Sequence, residues 1–278
     1  MLRKDYVIFT TYISLTFILA MAIFLPGSVL ENYHTVSLEE VMRASLAERM
    51  ERKYIFPAGL LPDILLQLRE DFDLMVAGNQ TVQFYESVYF DTPSFSTYLN
   101  HHNGIGDRYK IRLRKYHSTS ACFLEIKHRI VTGKVIKKRV EVPNLTAELP
   151  SYTEFICHNS PYHPKELEEK IRSYYYRITL VNKILEERAT FDYGLIFTNW
   201  TEKKDFSPIV IAELKFSKEL RRPSCQSLLR SYHIKSTSIS KYCTGIASLY
   251  PDVRKNRFKQ KLRKINRIIL APYENHVS

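Results

Sequence analysis

Cysteine is sparse: four residues, at 122, 157, 225 and 243, spaced by 35, 68 and 18 positions. No Cys-x-x-Cys pair exists, which rules out a zinc ribbon and argues against a disulfide scaffold; four free thiols are expected. Glycine is scarce too, with eight residues, and there is no internal repeat and no low-complexity tract. No Ser-His-Asp or Cys-His arrangement appears. His101, His102, His128, His158 and His163 show no metal-ligand spacing and fall in expected loops. Acid is in deficit, 29 Asp plus Glu against 41 Lys plus Arg, for a net charge of +12. A surplus of that size repels itself unless an anion offsets it, so the expected partner is nucleic acid, an anionic membrane or phosphates. What is present is 45% hydrophobic and 25% charged residues in 278. That composition excludes a disordered chain and a polytopic membrane protein, and the length suffices for one large domain or two small ones around a sizeable core.

The first thirty residues stand apart. Tyr6 to Leu30 is a 25-residue run without a charge, flanked by Arg3 and Lys4 before it and by Glu31, Glu39 and Glu40 after. An apolar run of ~18–20 residues or more can cross a bilayer as a helix, so residues 1–30 read as an uncleaved membrane anchor. A cleaved signal peptide is the alternative, and Met42 and Met50 are alternative starts. The basic flank would keep the N-terminus in the cytosol and send the rest across. Residues 31–48 read as a polar linker with a short helix, 49–250 as the main domain, and 251–278 as a basic C-terminal helix and tail.

The main domain counts in twos. Alternation marks strands at Arg49–Phe56, Gln83–Phe90, Lys110–Arg114, Cys122–Lys127, Val135–Val142, Tyr174–Val181, Leu185–Tyr193 and Ile209–Phe216. Helices are expected at Leu61–Asp71, Pro164–Arg172, Ser217–Arg230 and after Val253. The class is α+β with about eight mostly antiparallel strands and flanking helices. One face repeatedly carries paired charges: Glu51/Lys53, Arg112/Arg114, Glu125/Lys127, Lys137/Arg139 and Glu213/Lys215. On a single strand this is an ordinary solvated face. If the sheet closes into a barrel, the same face becomes a basic interior, tolerable only with a polyanion and a divalent metal inside. Arginine forks clamp phosphate oxygens, lysines add point charges, and carboxylates hold Mg²⁺ or Mn²⁺.

Six stretches in order then resemble the VTC domain, the catalytic module of the vacuolar transporter chaperone polyphosphate polymerase within the triphosphate tunnel metalloenzyme superfamily. They are Tyr89-Phe-Asp-Thr-Pro93, Arg108-Tyr-Lys-Ile-Arg-Leu-Arg-Lys-Tyr116, Leu124-Glu-Ile-Lys127, Thr190-Phe-Asp192, Ala212-Glu-Leu-Lys215 and Ser240-Lys-Tyr242. The resemblance runs from about Arg49 to about Leu262. It implies a tunnel in which Arg112, Arg114, Lys127 and Arg177 align the reacting phosphates. Lys53, Lys137, Arg139, Arg188, Lys215 and Lys241 would hold the chain, and Glu213 would bind Mn²⁺ or Mg²⁺. Superfamily hydrolases often open with Glu-x-Glu-x-Lys, whereas this chain has Arg49-Met-Glu51-Arg-Lys53. That departure favours a polymerase over a two-metal hydrolase.

The implied function is transfer of the γ-phosphoryl of ATP to a growing polyphosphate chain. The alternatives are a triphosphate or polyphosphate hydrolase, and a non-catalytic, membrane-tethered module binding polyphosphate or inositol phosphates. Nucleic acid is the distant fourth, because the charges are paired on strands rather than interleaved with exposed aromatics. An ATP-using enzyme should face the cytosol, against the flank charges of the anchor. Eight basic residues and no acid between Arg254 and Arg267, around an apolar stripe of Phe258, Leu262, Ile265 and Ile269, support either a docked helix or contact with an anionic leaflet.

Overall fold

The computed structural model describes residues 28–43, 49–184 and 186–271. The charge-free run lies outside them up to Gly27. Its last residues form a one-turn helix α1 (Ser28–Glu31), with Val29 and Leu30 packed against the core. Among the described residues no helix is long and apolar enough to cross a membrane.

Among the described residues eleven strands form one sheet: β1 (Thr35–Ser37), β2 (Arg49–Pro57), β3 (Phe72–Val76), β4 (Val82–Asp91), β5 (Arg108–Tyr116), β6 (Cys122–Arg129), β7 (Val135–Glu141), β8 (Glu168–Asn182), β9 (Glu187–Thr198), β10 (Lys203–Phe206) and β11 (Ile209–Ser217). The order β2-β11-β9-β8-β4-β5-β6-β7 is antiparallel throughout and contains the eight expected strands. The other three are additions at the margin. β10 extends from β9, β3 pairs β8, and β1 joins β3 in parallel.

Closure differs from the barrel expectation. Among the described residues β7 pairs only with β6, and no ladder joins it to β2. Its residues are exposed, and Lys137, Lys138 and Arg139 are charges of the kind that keep an edge from pairing. The free edge of β2 is instead covered by an extended segment. Tyr54 bridges Ser236, and the Thr237 amide donates to the Lys53 carbonyl at 2.8 Å. The same segment ends at Ser240, whose Oγ receives Lys110 Nζ from β5 at 3.0 Å. One strand of irregular chain thus spans between the two halves of the sheet.

The helices divide the two faces. α2 (Leu38–Arg43) follows β1. α3 (Leu61–Leu68) buries Leu61, Ile64, Leu65 and Leu68, the i, i+3, i+4, i+7 set of an amphipathic helix, against the convex face with Cys225 and Leu229 of α6 (Ser224–Ser231). α5 (Thr153–Asn159) covers the outer face of β5 and β6. α4 (Ser96–Asn103), α7 (Lys241–Leu249) and α8 (Lys259–Leu270) pack on Ile55, Tyr89, Ile171 and Ile211, at one end of the concave face. The apolar stripe of α8 is the expected one, with Ile265 fully buried and Phe258 beside it. Lys259, Arg263, Lys264 and Arg267 stay exposed. Two helix expectations are corrected. Pro164–Arg172 holds a single 3-10 turn, Pro164–Glu166, before β8 begins at Glu168, and the helix expected from Ser217 starts at Ser224. The histidines named above are on elements rather than in loops: His101 and His102 on α4, His128 on β6 and His158 on α5, while His163 caps the 3-10 turn.

Candidate functional site

Register decides which side chains share a face, and it gathers the sequence's charges on the concave one. Lys53 stands opposite Glu213, Glu51 opposite Lys215, and Lys215 opposite Arg188. Asp192 stands opposite Arg177. Ser87 is opposite Arg114, Tyr89 opposite Arg112, and Arg112 opposite Glu125. Lys127 is opposite both Lys110 and Lys137, and Glu125 is opposite Arg139. Every strand residue proposed from the sequence therefore falls on one surface, and Lys241 is delivered to it by the first turn of α7.

Three knots of charge make up the centre. In the first, Glu213 accepts from Lys53 at 2.8 Å and from Lys215 at 2.6 Å, and Lys53 also contacts Glu51. Burial would raise Glu213, but Lys215 and Lys53 outweigh it and hold the carboxylate well below its usual range. In the second, Arg112 Nε and Nη2 both donate to Glu125 Oε2, at 2.8 and 2.6 Å, and Lys137 reaches the other oxygen. Arg112 Nη1 donates to the Tyr89 hydroxyl at 3.2 Å. Glu125 is 2% exposed. In the third, Asp192, equally buried, takes Arg177 Nε on Oδ1 at 2.5 Å and Nη2 on Oδ2 at 2.8 Å, and Lys241 donates to Oδ2 as well. Arg114 is held by neutral groups, Ser87 Oγ at 3.1 Å and the Tyr175 hydroxyl at 2.9 Å. Tyr175 also lies under the Lys241 ammonium, 4.3 Å from the ring centroid. Arg139 is exposed on β7 with its guanidinium over Phe123, 4.5 Å from the centroid.

Lys127 is the exception. It makes no hydrogen bond or ion pair among the described residues. Its side chain is exposed by surface area, yet the protein crowded around it desolvates the ammonium and, with the neighbouring Arg112, depresses it to about 7, with Glu213 and Glu51 offsetting only part of that. A lysine on β6 that feels carboxylates on β11 and β2 also shows that the open sheet curls until its two ends face each other across the groove.

Several residues that shape the site were not among the sequence candidates: Lys110, Glu125, Asp192, Tyr89 and Tyr175. Glu125 and Asp192 were visible inside the quoted motifs, and alternation alone would have placed Lys110 with Arg112 and Arg114. The two tyrosines carry no such signal, because a tyrosine on a strand is ordinarily core.

The donor set bears on a metal. Among the described residues no three His, Cys, Asp or Glu side chains converge. Glu213 and Glu51, diagonal neighbours on paired strands, are two carboxylates on one face. Hard divalent cations of the Mg²⁺ type are commonly held by one or two carboxylates plus substrate phosphates, so these residues fit such an ion together with a phosphate ligand.

Comparison with known proteins follows the same line. No curated protein sequence matches the chain. Among solved structures, PH1819 from Pyrococcus horikoshii OT3 is similar over 72% of this chain and 99% of its own, at 13% identity and a TM-score of 0.42. HpAC1 from Hippeastrum, a protein with a dominant triphosphatase activity, is similar over 73% and 97%, at 13% identity and 0.47. The VTC domain family matches residues 48–250, which contain all the groove-lining strands and α7. The chain belongs to the VTC-domain family.

Proposed function

We propose that the groove binds linear phosphate chains and transfers the γ-phosphoryl of ATP to the end of a polyphosphate chain. The observation that carries this reading is Lys127. It has no hydrogen bond or ion pair among the described residues, stands among cations and is open to solvent, and an anion is what would complete it. Around it, Arg112, Arg114 and Arg177 are held in place by Glu125, Tyr89, Ser87, Tyr175 and Asp192, so a ligand would meet guanidinium groups that are already ordered. Phosphoryl transfer asks little more of a protein than alignment and neutralisation of the non-bridging oxygens. In this reading Arg112, Arg114, Lys127 and Arg177 align the reacting groups. Lys53, Lys137, Arg139, Arg188, Lys215 and Lys241 hold the chain. Glu213, with Glu51, would hold Mn²⁺ or Mg²⁺, which when bound neutralises charge between adjacent phosphates.

A hydrolase would use the same grip with an activated water. Against it stands Arg49, which occupies the register position opposite Ser217 where hydrolases of the superfamily place another carboxylate. The reading also takes the anchor expected over residues 1–30, short of the core-packed Val29 and Leu30, as a membrane tether, the groove as cytoplasmic, and the exposed basic face of α8 as the side turned to an anionic leaflet.

The test is to give the full chain ATP, Mn²⁺ and a short polyphosphate primer and to resolve the products by gel. Lengthening chains that disappear in Glu213→Ala are expected. Shortening chains with release of free phosphate would make the protein a hydrolase, and tight binding without turnover would make it a phosphate receptor.

A further inference from the structure

Past the central knots, toward α8, the concave face changes character. Cross-strand partners on β5 and β6 begin with opposite charges, Arg112 against Glu125, and then become two consecutive like-charged pairs, Lys110 against Lys127 and Arg108 against Arg129. Like charges directly opposite each other destabilise a sheet, so two in succession are a standing cost for the free protein. None of Arg108, Lys110 or Arg129 has a carboxylate partner among the described residues. Arg108 donates to the Ile105 carbonyl at 2.7 Å and Lys110 to Ser240. α8 adds a fourth cation from above, Lys261, which donates to Ser238 Oγ at 3.0 Å.

The four charges meet at one place. His101, on α4, hydrogen-bonds Cys243 Sγ at 3.1 Å. After burial itself, the charges of Lys110, Arg108, Lys261 and Arg129 are what drive it down to about 3. The register that sets Arg108 and Lys110 against Arg129 and Lys127, with Ser238 holding Lys261 and Ser240 holding Lys110, places these cations around a histidine that burial already keeps neutral, at the groove's mouth between α8 and the β5–β6 pair. Along β5 the distance from Arg114 to Arg108 is six residues, or about 20 Å of strand. That is a longer cationic track than a triphosphate can occupy.

We infer that Arg108, Arg129 and Lys261 form a separate subsite at this mouth, which takes the phosphates of a long linear polyphosphate beyond those held at the groove's centre. The inference rests on the phosphate-chain reading above and adds length selectivity to it. The chain's distal units supply the anions that the like-charged pairs lack, and α8 roofs the exit.

The experiment is calorimetric titration of the full-length protein with three probes: tripolyphosphate, polyphosphate of several tens of units, and inositol hexakisphosphate as a compact polyanion. The variant Arg108→Gln/Arg129→Gln is expected to lose about tenfold in affinity for the long chain, with its affinity for tripolyphosphate within about twofold of wild type. Arg108→Lys/Arg129→Lys should restore most of the loss. Thermal denaturation of each variant shows that the fold is retained, and Lys261→Ala, on a different element, should weaken the same probe. Equal loss for short and long chains would overturn the inference, as would no loss for either, or a loss for inositol hexakisphosphate matching that for the long chain. If wild-type protein fails to bind tripolyphosphate at all, the phosphate-chain reading falls first and the subsite with it.

Discussion

At the scale of single residues, the motifs that carry the family resemblance turn out to be mostly joints. Asp91 of the Tyr-Phe-Asp-Thr-Pro stretch never reaches the groove. It is fully buried, accepts the amides of Thr97 and Tyr98 at 2.8 and 2.9 Å, and binds the Tyr242 hydroxyl. It therefore fixes α4 and α7 to the end of β4. Ser240-Lys-Tyr242 makes four joints in three residues. Ser240 caps α7 by accepting the Cys243 amide and receives Lys110, Lys241 meets Asp192, and Tyr242 meets Asp91. Charged residues at fixed parity were legible as a shared face. Their division into joints and free ligands was not, because that depends on which cation finds a carboxylate across the sheet.

That division predicts how variants behave. Arg112→Ala leaves Glu125 buried without its main partner and is expected to cost about 3–5 kcal/mol of stability, measured by denaturant unfolding. Lys127→Ala removes no hydrogen bond or ion pair among the described residues. It should unfold like wild type yet bind tripolyphosphate roughly ten- to hundredfold more weakly by calorimetry. The pH dependence follows from the same residue. Free Lys127 sits at about 7, and a bound polyanion would raise it. Below that value the lysine is charged in both states and affinity is at its plateau. As pH rises above it, the free protein must take up a proton to bind, so affinity declines. Titrations from pH 6 to about 9 should show that fall in wild type and lose it in Lys127→Arg.

At the scale of elements, the strands were legible and several helices were not, for a physical reason in each case. Period two is legible on β2, β5, β6 and β11 because charges alternate there with packed apolar residues, and on β4, β8 and β9 it survives as alternating side-chain type although both faces are largely buried. α7 shows no amphipathic stripe: Tyr242, Cys243, Thr244, Gly245, Ile246, Ala247 and Leu249 are all buried, and a helix covered all round has no polar side to reveal it. Gly245 sets how close it comes. A methyl there would lie 2.5 Å from Ile171 Cδ1 and 2.9 Å from Phe197 Cδ1. Gly245→Ala is expected to destabilise by about 1–3 kcal/mol through overpacking, read from the thermal midpoint. At Pro164–Arg172 the proline and the charges suggest a helix start. Pairing of Glu168 and Glu169 with Asp91 and Phe90 takes the chain into β8 after one turn.

β9 holds a second titrating group, away from the groove. Glu187 is buried on the core side near the amides of Ser224, Cys225 and Gln226, at the start of α6. Burial raises its carboxyl from an ordinary 4.5 to about 7, and those amides offset only part of the rise. In the unfolded chain the group ionises near 4.5, so the unfolded state sheds its proton first. Stability from this group is accordingly present below that value and lost as pH rises to about 7. Glu187→Gln should flatten that decline, seen as a smaller drop in melting temperature between pH 5 and about 8.

At the scale of the whole molecule, the composition already pointed to an anion, and the fold shows where the surplus charge accumulates. Part of it lines the concave face, and part stays on the exposed side of α8. The open edge at β7 is the feature that alternation could not give, since closure depends on how two distant edges meet. A ligand that binds only the folded state stabilises it by mass action, by about 2.7 kcal/mol at a hundred times its dissociation constant. Polyphosphate should therefore raise the melting temperature by several degrees, and sodium chloride at equal ionic strength should not.

The claim underlying all of this is that the concave face receives a phosphate chain at its centre. Calorimetric titration of tripolyphosphate into the full-length wild-type protein and into Lys127→Ala tests it most directly. The account predicts saturable binding to wild type that is lost or weakened at least about tenfold in the variant, with unchanged melting temperatures. Equal affinity in the two proteins would contradict it.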